Sequence, residues 1–149
     1  MAGYPRLKQV VLDAEDVIEL AEFYRQLLGL RYPPGRDPEA CEHADPVDWL
    51  NLISADGGTQ IAIQLARPLP RSTWPDPAVP QQLHLDMTVG TSAELDVQCQ
   101  RALDLGAELL LDRSDDPEEA LYVFADPAGH PFCIFVHAEA EPAVSNHQT

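Results

Sequence analysis

Three cysteines in 149 residues, an odd number without metal-finger spacing, give no basis for a disulfide framework or a structural zinc module. Cys41, Cys99 and Cys133 are therefore read as free thiols. Basic residues are also scarce: nine Lys and Arg stand against 25 Asp and Glu, for a net charge of −16 and a pI near 4.3. Nine scattered cations form no phosphate-binding patch and cannot hold an anionic membrane surface, so nucleic acid and membrane are excluded as partners. No apolar run approaches the roughly 20 residues that span a bilayer, and Met-Ala-Gly-Tyr-Pro-Arg at the start lacks the apolar stretch of a signal peptide. These absences together predict a cytoplasmic protein whose charge serves solubility.

What is present is a core-forming composition, 45% apolar, arranged twice over. A strand-like run at 7–13 leads into a helical pattern at 17–28 that stops at Gly29. A second strand-like run at 83–89 leads into a helical pattern at 93–105 that stops at Gly106. Asp16 with Glu19, and Thr91 with Glu94, have the spacing of a capping box, and a glycine after the last apolar turn supplies the left-handed helix terminator. Leu20, Phe23, Tyr24 and Leu27 share one helical face; Leu95, Cys99, Ala102 and Leu103 share another.

Strand text follows each helix: 30–32, 48–55 and 59–65 in the first half, and 107–111, 121–125 and 132–136 in the second. Gly57-Gly58 and Asp126-Pro127-Ala128-Gly129 are the turns, and His130, just after the second, is expected to be exposed. Each half thus reads β-α-β-β-β, and five elements in one order point to duplication of an α+β unit. The expected organisation is a module at 1–67, a crossing linker at 68–81, a second module at 82–137 and a loose tail at 138–149. Prolines, five of them in residues 68–80, suit a linker that must not pair into a sheet.

Alternation places the chemistry. Leu83, Leu85, Met87 and Val89 form a face for the helix, leaving His84, Asp86 and Thr88 on the other side. In the first half Val10 and Leu12 face the helix, and Gln9, Val11 and Asp13 oppose it. The closing strands turn Ala62 and Gln64, and Cys133 and Phe135, to that same inner surface. Gln9, Val11, Asp13, Gln64, Cys133 and Phe135 are therefore ligand-binding candidates in a cavity between the halves, a mixture of polar and apolar groups suited to a small organic molecule. His84 and Asp86 are the catalytic candidates, the carboxylate fixing the imidazole tautomer. Trp74, in the linker, is either a lid over the cavity or a plug against the sheet edge.

The segments Val11-Leu12-Asp13, Ala21-Glu22-Phe23-Tyr24-Arg25-Gln26-Leu27-Leu28-Gly29-Leu30 and Tyr122-Val123-Phe124-Ala125-Asp126-Pro127-Ala128-Gly129-His130-Pro131-Phe132-Cys133 resemble the vicinal oxygen chelate superfamily, the glyoxalase, bleomycin-resistance and dioxygenase group. Trp74-Pro75-Asp76-Pro77 and Pro80-Gln81-Gln82-Leu83-His84 resemble its glyoxalase-like subgroup common in actinobacterial sequences. The resemblance implies two βαβββ modules in an incomplete barrel around a cavity, and a homodimer. Metal-dependent members place His and Glu ligands at positions that fall here on Gln9, His84 and Cys133, with Ala62 or Gln64 as the fourth. Gln is a weak neutral donor and Cys prefers softer metals, so no standard metal site and no cofactor is expected. Two functions follow: a small-molecule binding protein, or a lyase, isomerase or dioxygenase relative using His84 with Asp86 as a base or in a divergent metal site.

Overall fold

In the computed structural model, which describes residues 3–40, 46–57 and 60–137, the repeat is visible as two sheets with the same strand order. The chain runs β1 (Gln9–Ala14), α1 (Val17–Leu28), β2 (Trp49–Leu52), β3 (Gln60–Leu65), β4 (Leu85–Val89), α2 (Ser92–Asp104), β5 (Glu108–Arg113), β6 (Leu121–Ala125) and β7 (Pro131–Val136). The first sheet is ordered β1-β3-β2, with β1 parallel to β3 and β2 antiparallel to it. The second is β4-β7-β6-β5, with β4 parallel to β7 and the other pairs antiparallel. The fourth strand expected at 30–32 is reduced to a single bridge, Arg31 with Ile53. Pro33 and Pro34 follow at once, and proline has no N–H to extend a ladder. Its counterpart β5 has no proline and runs six residues.

The strands that open each half start later than expected. Leu7 is exposed and β1 begins at Gln9; Leu83 and His84 precede β4. Both helices begin at their caps. Asp16 accepts from the Glu19 N–H, and Thr91 forms the complete reciprocal box with Glu94, so the box expected at Asp16 is only half made. Gly29, at φ 65°, ends α1, whereas α2 ends on Leu105 before Gly106 at φ 111°. The proposed tail at 138–149, Cys41, Gly58 of the first turn and Thr59 at the start of the strand after it lie outside the described residues.

One core serves both halves. All four residues of the α1 stripe are buried, and Phe23 lies with its ring centroid 5.8 Å from Phe132 of β7, which in turn stacks on Phe124 of β6 at 5.1 Å. The α2 stripe is shallower: Leu95 and Ala102 are buried, Cys99 is half-buried and Leu103 is exposed. Because the core sides of the sheets are filled, Gln64, Asp86 and Thr88 remain exposed on the opposite faces.

Candidate functional site

A cleft of about 300 Å³ opens where the first half, the crossing segment and the β6–β7 turn meet. β1 contributes Val11, Leu12 and Asp13; the crossing segment contributes Leu69, Pro70, Ser72 and residues 79–83; the turn contributes Ala128, Gly129 and His130. Of the residues expected to bind a ligand, Val11 and Asp13 line this cleft. Gln64 stands behind Asp13, its Nε2 donating to Oδ1 at 3.3 Å, because β1 and β3 pair Asp13 with Gln64 in register. Gln9, Trp74, Cys133 and Phe135 are not part of the lining. Trp74 is half-buried within the crossing segment, its backbone N–H donating to Ser72 Oγ, while Phe135 borders a separate groove beside Glu119 and His137. Gln9 is half-buried, and its Oε1 is enclosed without a hydrogen-bond partner.

The turn that closes the cleft is held from beneath. Asp126 is fully buried and gathers four donors: the Tyr24 hydroxyl at 2.6 Å, the N–H groups of Ala128 at 2.9 Å and His130 at 3.0 Å, and the His130 ring Nδ1 at 2.9 Å. Burial first, and the Asp126 charge second, push the Tyr24 hydroxyl pKa well above the tyrosine range. His130 is thus not the exposed turn residue its position suggested: its side chain is 18% exposed, its Nδ1 is engaged by Asp126, and the residue lines the cleft. Sequence reasoning missed it because the carboxylate's buried partner, the Tyr24 hydroxyl, lies 102 residues away. The available signal was an Asp whose turn brings two backbone N–H groups back onto its own side chain.

Gly129 is required here on two grounds. Its φ is 97°, and a Cβ at this position would meet Arg71 Cβ at 2.9 Å, so the crossing segment lies directly on the turn. Arg71 Nη1 donates to Pro127 O at 2.8 Å and fixes that approach.

A second polar group lies on the β4–β7 pair, on the face opposite the core. His84 Nε2 is 3.2 Å from Asp86 Oδ1, and the Cys133 thiol donates to the same oxygen at 2.5 Å. The two candidates His84 and Asp86 are therefore brought together, with side chains 47% and 54% exposed, and Cys133 joins them from across the ladder. Burial, with the Asp86 hydrogen bond and charge adding to it, pushes the Cys133 thiol pKa up to about 12. The donors at the positions matched to the superfamily's metal ligands, Gln9, His84 and Cys133, do not fit a hard ion, for a thiol and a neutral amide are poor partners for Mg²⁺ or Mn²⁺.

Comparison with solved structures supports the architecture. The chain matches the hypothetical protein SA1046 of S. aureus at 18% identity and TM-score 0.63, covering 91% of this chain and 100% of that one. It matches a glyoxalase/bleomycin resistance protein/dioxygenase family enzyme from Burkholderia phytofirmans PsJN at 17% and 0.62, covering 87% and 96%. The fosfomycin resistance protein FosX of Listeria monocytogenes, solved in one form with Mn(II) and 1S,2S-dihydroxypropylphosphonic acid, matches at 17% and 0.63, covering 92% and 94%. No curated protein sequence matches. At such identities the structures establish the fold, that of the glyoxalase, bleomycin-resistance and dioxygenase proteins with an incomplete barrel. The family profile described as a glyoxalase-like domain covers residues 9–135, nearly all of the described chain, and the protein belongs to that family.

Proposed function

We propose that the protein binds a small organic molecule in the cleft between β1, the crossing segment and the β6–β7 turn. The observation that carries this reading is the composition of the lining. It joins Val11, Leu69, Val79 and Leu83 to a few directed polar groups, as ligand pockets do. The lining has one carboxylate, Asp13, and neither lysine nor arginine, and the whole chain carries −16. A neutral or cationic amphipathic ligand suits this wall better than a phosphonate such as the one held by the Listeria protein. The recognition rests on the protein's own groups rather than on the superfamily's standard metal set.

The test is a thermal-shift screen, in chelator, of cationic, neutral and anionic small molecules. A ligand present at 100 times its Kd stabilises by about 2.7 kcal/mol. Asp13→Ala should weaken a cationic hit by roughly tenfold or more, since one charged contact is worth about 1.5–3 kcal/mol. Hits confined to anions, or hits indifferent to Asp13 and Leu83 substitutions, would remove the cleft as the site.

A second reading is favoured by the 3.2 Å His84–Asp86 pair: a lyase, isomerase or dioxygenase-type enzyme in which His84 is the base. Turnover of a discovered ligand that disappears in His84→Ala while binding persists would establish it. The same proposal places the protein in the cytoplasm as a homodimer of the actinobacterial-type subgroup. Trp49 on β2, and Leu109 and Leu111 on β5, are exposed apolar residues on strands at or near sheet edges, suited to a second copy of the chain. Sedimentation velocity gives the oligomeric state. No helix among the described residues is long and apolar enough to cross a membrane.

A further inference from the structure

We propose that His130 is a general base set into the cleft, held by the buried Asp126 so that its Nε2 takes a proton from an amphipathic small molecule bound there. The inference rests on the cleft reading and deepens it, by naming the reacting atom and a reaction class, proton abstraction. Neither His84 nor Asp86 lines the cleft, so this base is a different residue in a different place.

One nitrogen of the ring is already committed. Nδ1 lies 3.1 and 2.9 Å from the two oxygens of Asp126. That carboxylate is fully buried and also receives the Tyr24 hydroxyl and the backbone N–H groups of Ala128 and His130. An ionised carboxylate only accepts, so Nδ1 carries the hydrogen, and in the neutral ring the free lone pair belongs to Nε2. A carboxylate placed behind an imidazole in this way fixes its tautomer and stabilises the imidazolium that forms when the other nitrogen takes a proton. Asp126 is thus a positioning residue for His130.

The second nitrogen is accessible. Nε2 has no hydrogen-bond partner in the protein. Among the described residues the enclosed side-chain nitrogen or oxygen without a partner is Gln9 Oε1, so Nε2 is open to solvent. The ring is only 18% exposed, and the opening that His130 borders is the cleft. Its place there is rigid, because the turn closes on itself: the Asp126 N–H donates to His130 O at 2.9 Å and the Gly129 N–H to Asp126 O at 2.8 Å. A fixed base beside an apolar wall of Val11, Leu12 and Leu83 meets a bound molecule in one orientation, which is what proton transfer within a complex requires. The other basic group of the lining, Asp13, already accepts from Gln64, and imidazole is the stronger base of the two side-chain types.

Turnover of 5-nitrobenzisoxazole, a neutral, planar probe that reacts by losing one proton, tests the proposal. The base removes the hydrogen on the carbon beside the ring nitrogen, the C–H electron pair completes a nitrile, and the N–O bond breaks. The coloured cyano-nitrophenolate leaves, the imidazolium returns its proton to water, and no oxidant or reductant is consumed. Turnover should saturate, and His130→Ala should lower kcat/KM by roughly tenfold or more, since a positioned base contributes about 10²–10⁴-fold. His137→Ala, which removes an exposed histidine elsewhere, should change nothing. Nitrogen-15 spectra give a readout independent of any ligand: the neutral His130 ring should be the Nδ1–H tautomer, and the opposite tautomer would overturn the proposal. Circular dichroism reports whether each variant is folded. Should His130→Ala fail to fold, wild-type protein treated with diethyl pyrocarbonate decides instead: turnover should fall in step with acylation of His130, read by peptide mass spectrometry, and resistance of His130 while His137 reacts would overturn the proposal. So would a rate unchanged in His130→Ala, or a loss found in Asp13→Asn or His84→Ala instead. The two readings fail separately: saturable binding of the probe with an unchanged rate in His130→Ala removes the base and keeps the cleft, whereas a ligand screen without cleft hits and a probe that does not saturate remove both.

Discussion

Replacing Tyr24 by phenylalanine removes a single oxygen from the centre of the molecule, and the structure fixes what that oxygen does. The ring stays in the aromatic cluster, 5.0 Å from Phe23, so packing is preserved. What is lost is the 2.6 Å hydrogen bond to a fully buried carboxylate, which keeps its bonds from Ala128 and from both the N–H and the ring of His130. A hydrogen bond to a charged group is worth about 1.5–3 kcal/mol, and for a chain of this size that corresponds to a fall in Tm of roughly 3–12 °C. Urea denaturation should show a lower midpoint with an unchanged slope, because the surface exposed on unfolding is the same. The effect also has a pH signature. The folded protein keeps the Tyr24 proton above pH 10, whereas the unfolded chain releases it, so wild-type stability falls as pH rises through that point. Phenylalanine has no proton to release, and the gap between the two proteins should narrow by about 1.4 kcal/mol per pH unit. A loss below about 0.5 kcal/mol at pH 7, or a gap that is constant or widens in alkali, would refute the role assigned to this bond.

Two other substitutions probe the site's supports. Gly129→Ala places a methyl group against Arg71 at a positive φ; it should cost about 1–3 kcal/mol and, by lifting the crossing segment, raise the rate of limited proteolysis within 68–80. Unchanged cleavage with unchanged stability would mean the turn and the segment are not packed as described. The caps can be compared directly: Thr91→Ala and Asp16→Ala each remove one side-chain acceptor from a backbone N–H and should each cost about 0.5–2 kcal/mol in chemical denaturation. Glu94→Ala removes the returning half of the box, the acceptor for the Gly90 and Thr91 N–H groups, and an unchanged stability in that variant would show that this half contributes nothing.

What could be read beforehand was what depends on near neighbours. Helices announced themselves through capping residues and one apolar stripe each, and strand faces through alternation, which is why His84 and Asp86 were correctly set side by side. The strand at 30–32 failed because two prolines beyond its end outweigh its apolar character. The Asp126–His130 pair was invisible because the Tyr24 hydroxyl bonded to it belongs to the other half. The place of Cys133 in the chain likewise gives no sign of its neighbours. Only the β4–β7 register, joining Asp86 to a residue 47 positions away, makes it a neighbour of His84. The cleft shifted for a similar reason: the crossing segment, read mainly as a connector, forms much of its wall.

The bond from Tyr24 to Asp126 also constrains the order in which the protein can be made. Its partners are separated by 102 residues, and at a synthesis rate of about 5–20 residues per second the first helix waits roughly 5–20 s for its acceptor. For that interval Phe23 and Tyr24 are without Phe132 as well, so the first half leaves the ribosome with part of its apolar stripe uncovered. The two halves thus share one core, whose aromatic cluster is complete only when the last hairpin is in place.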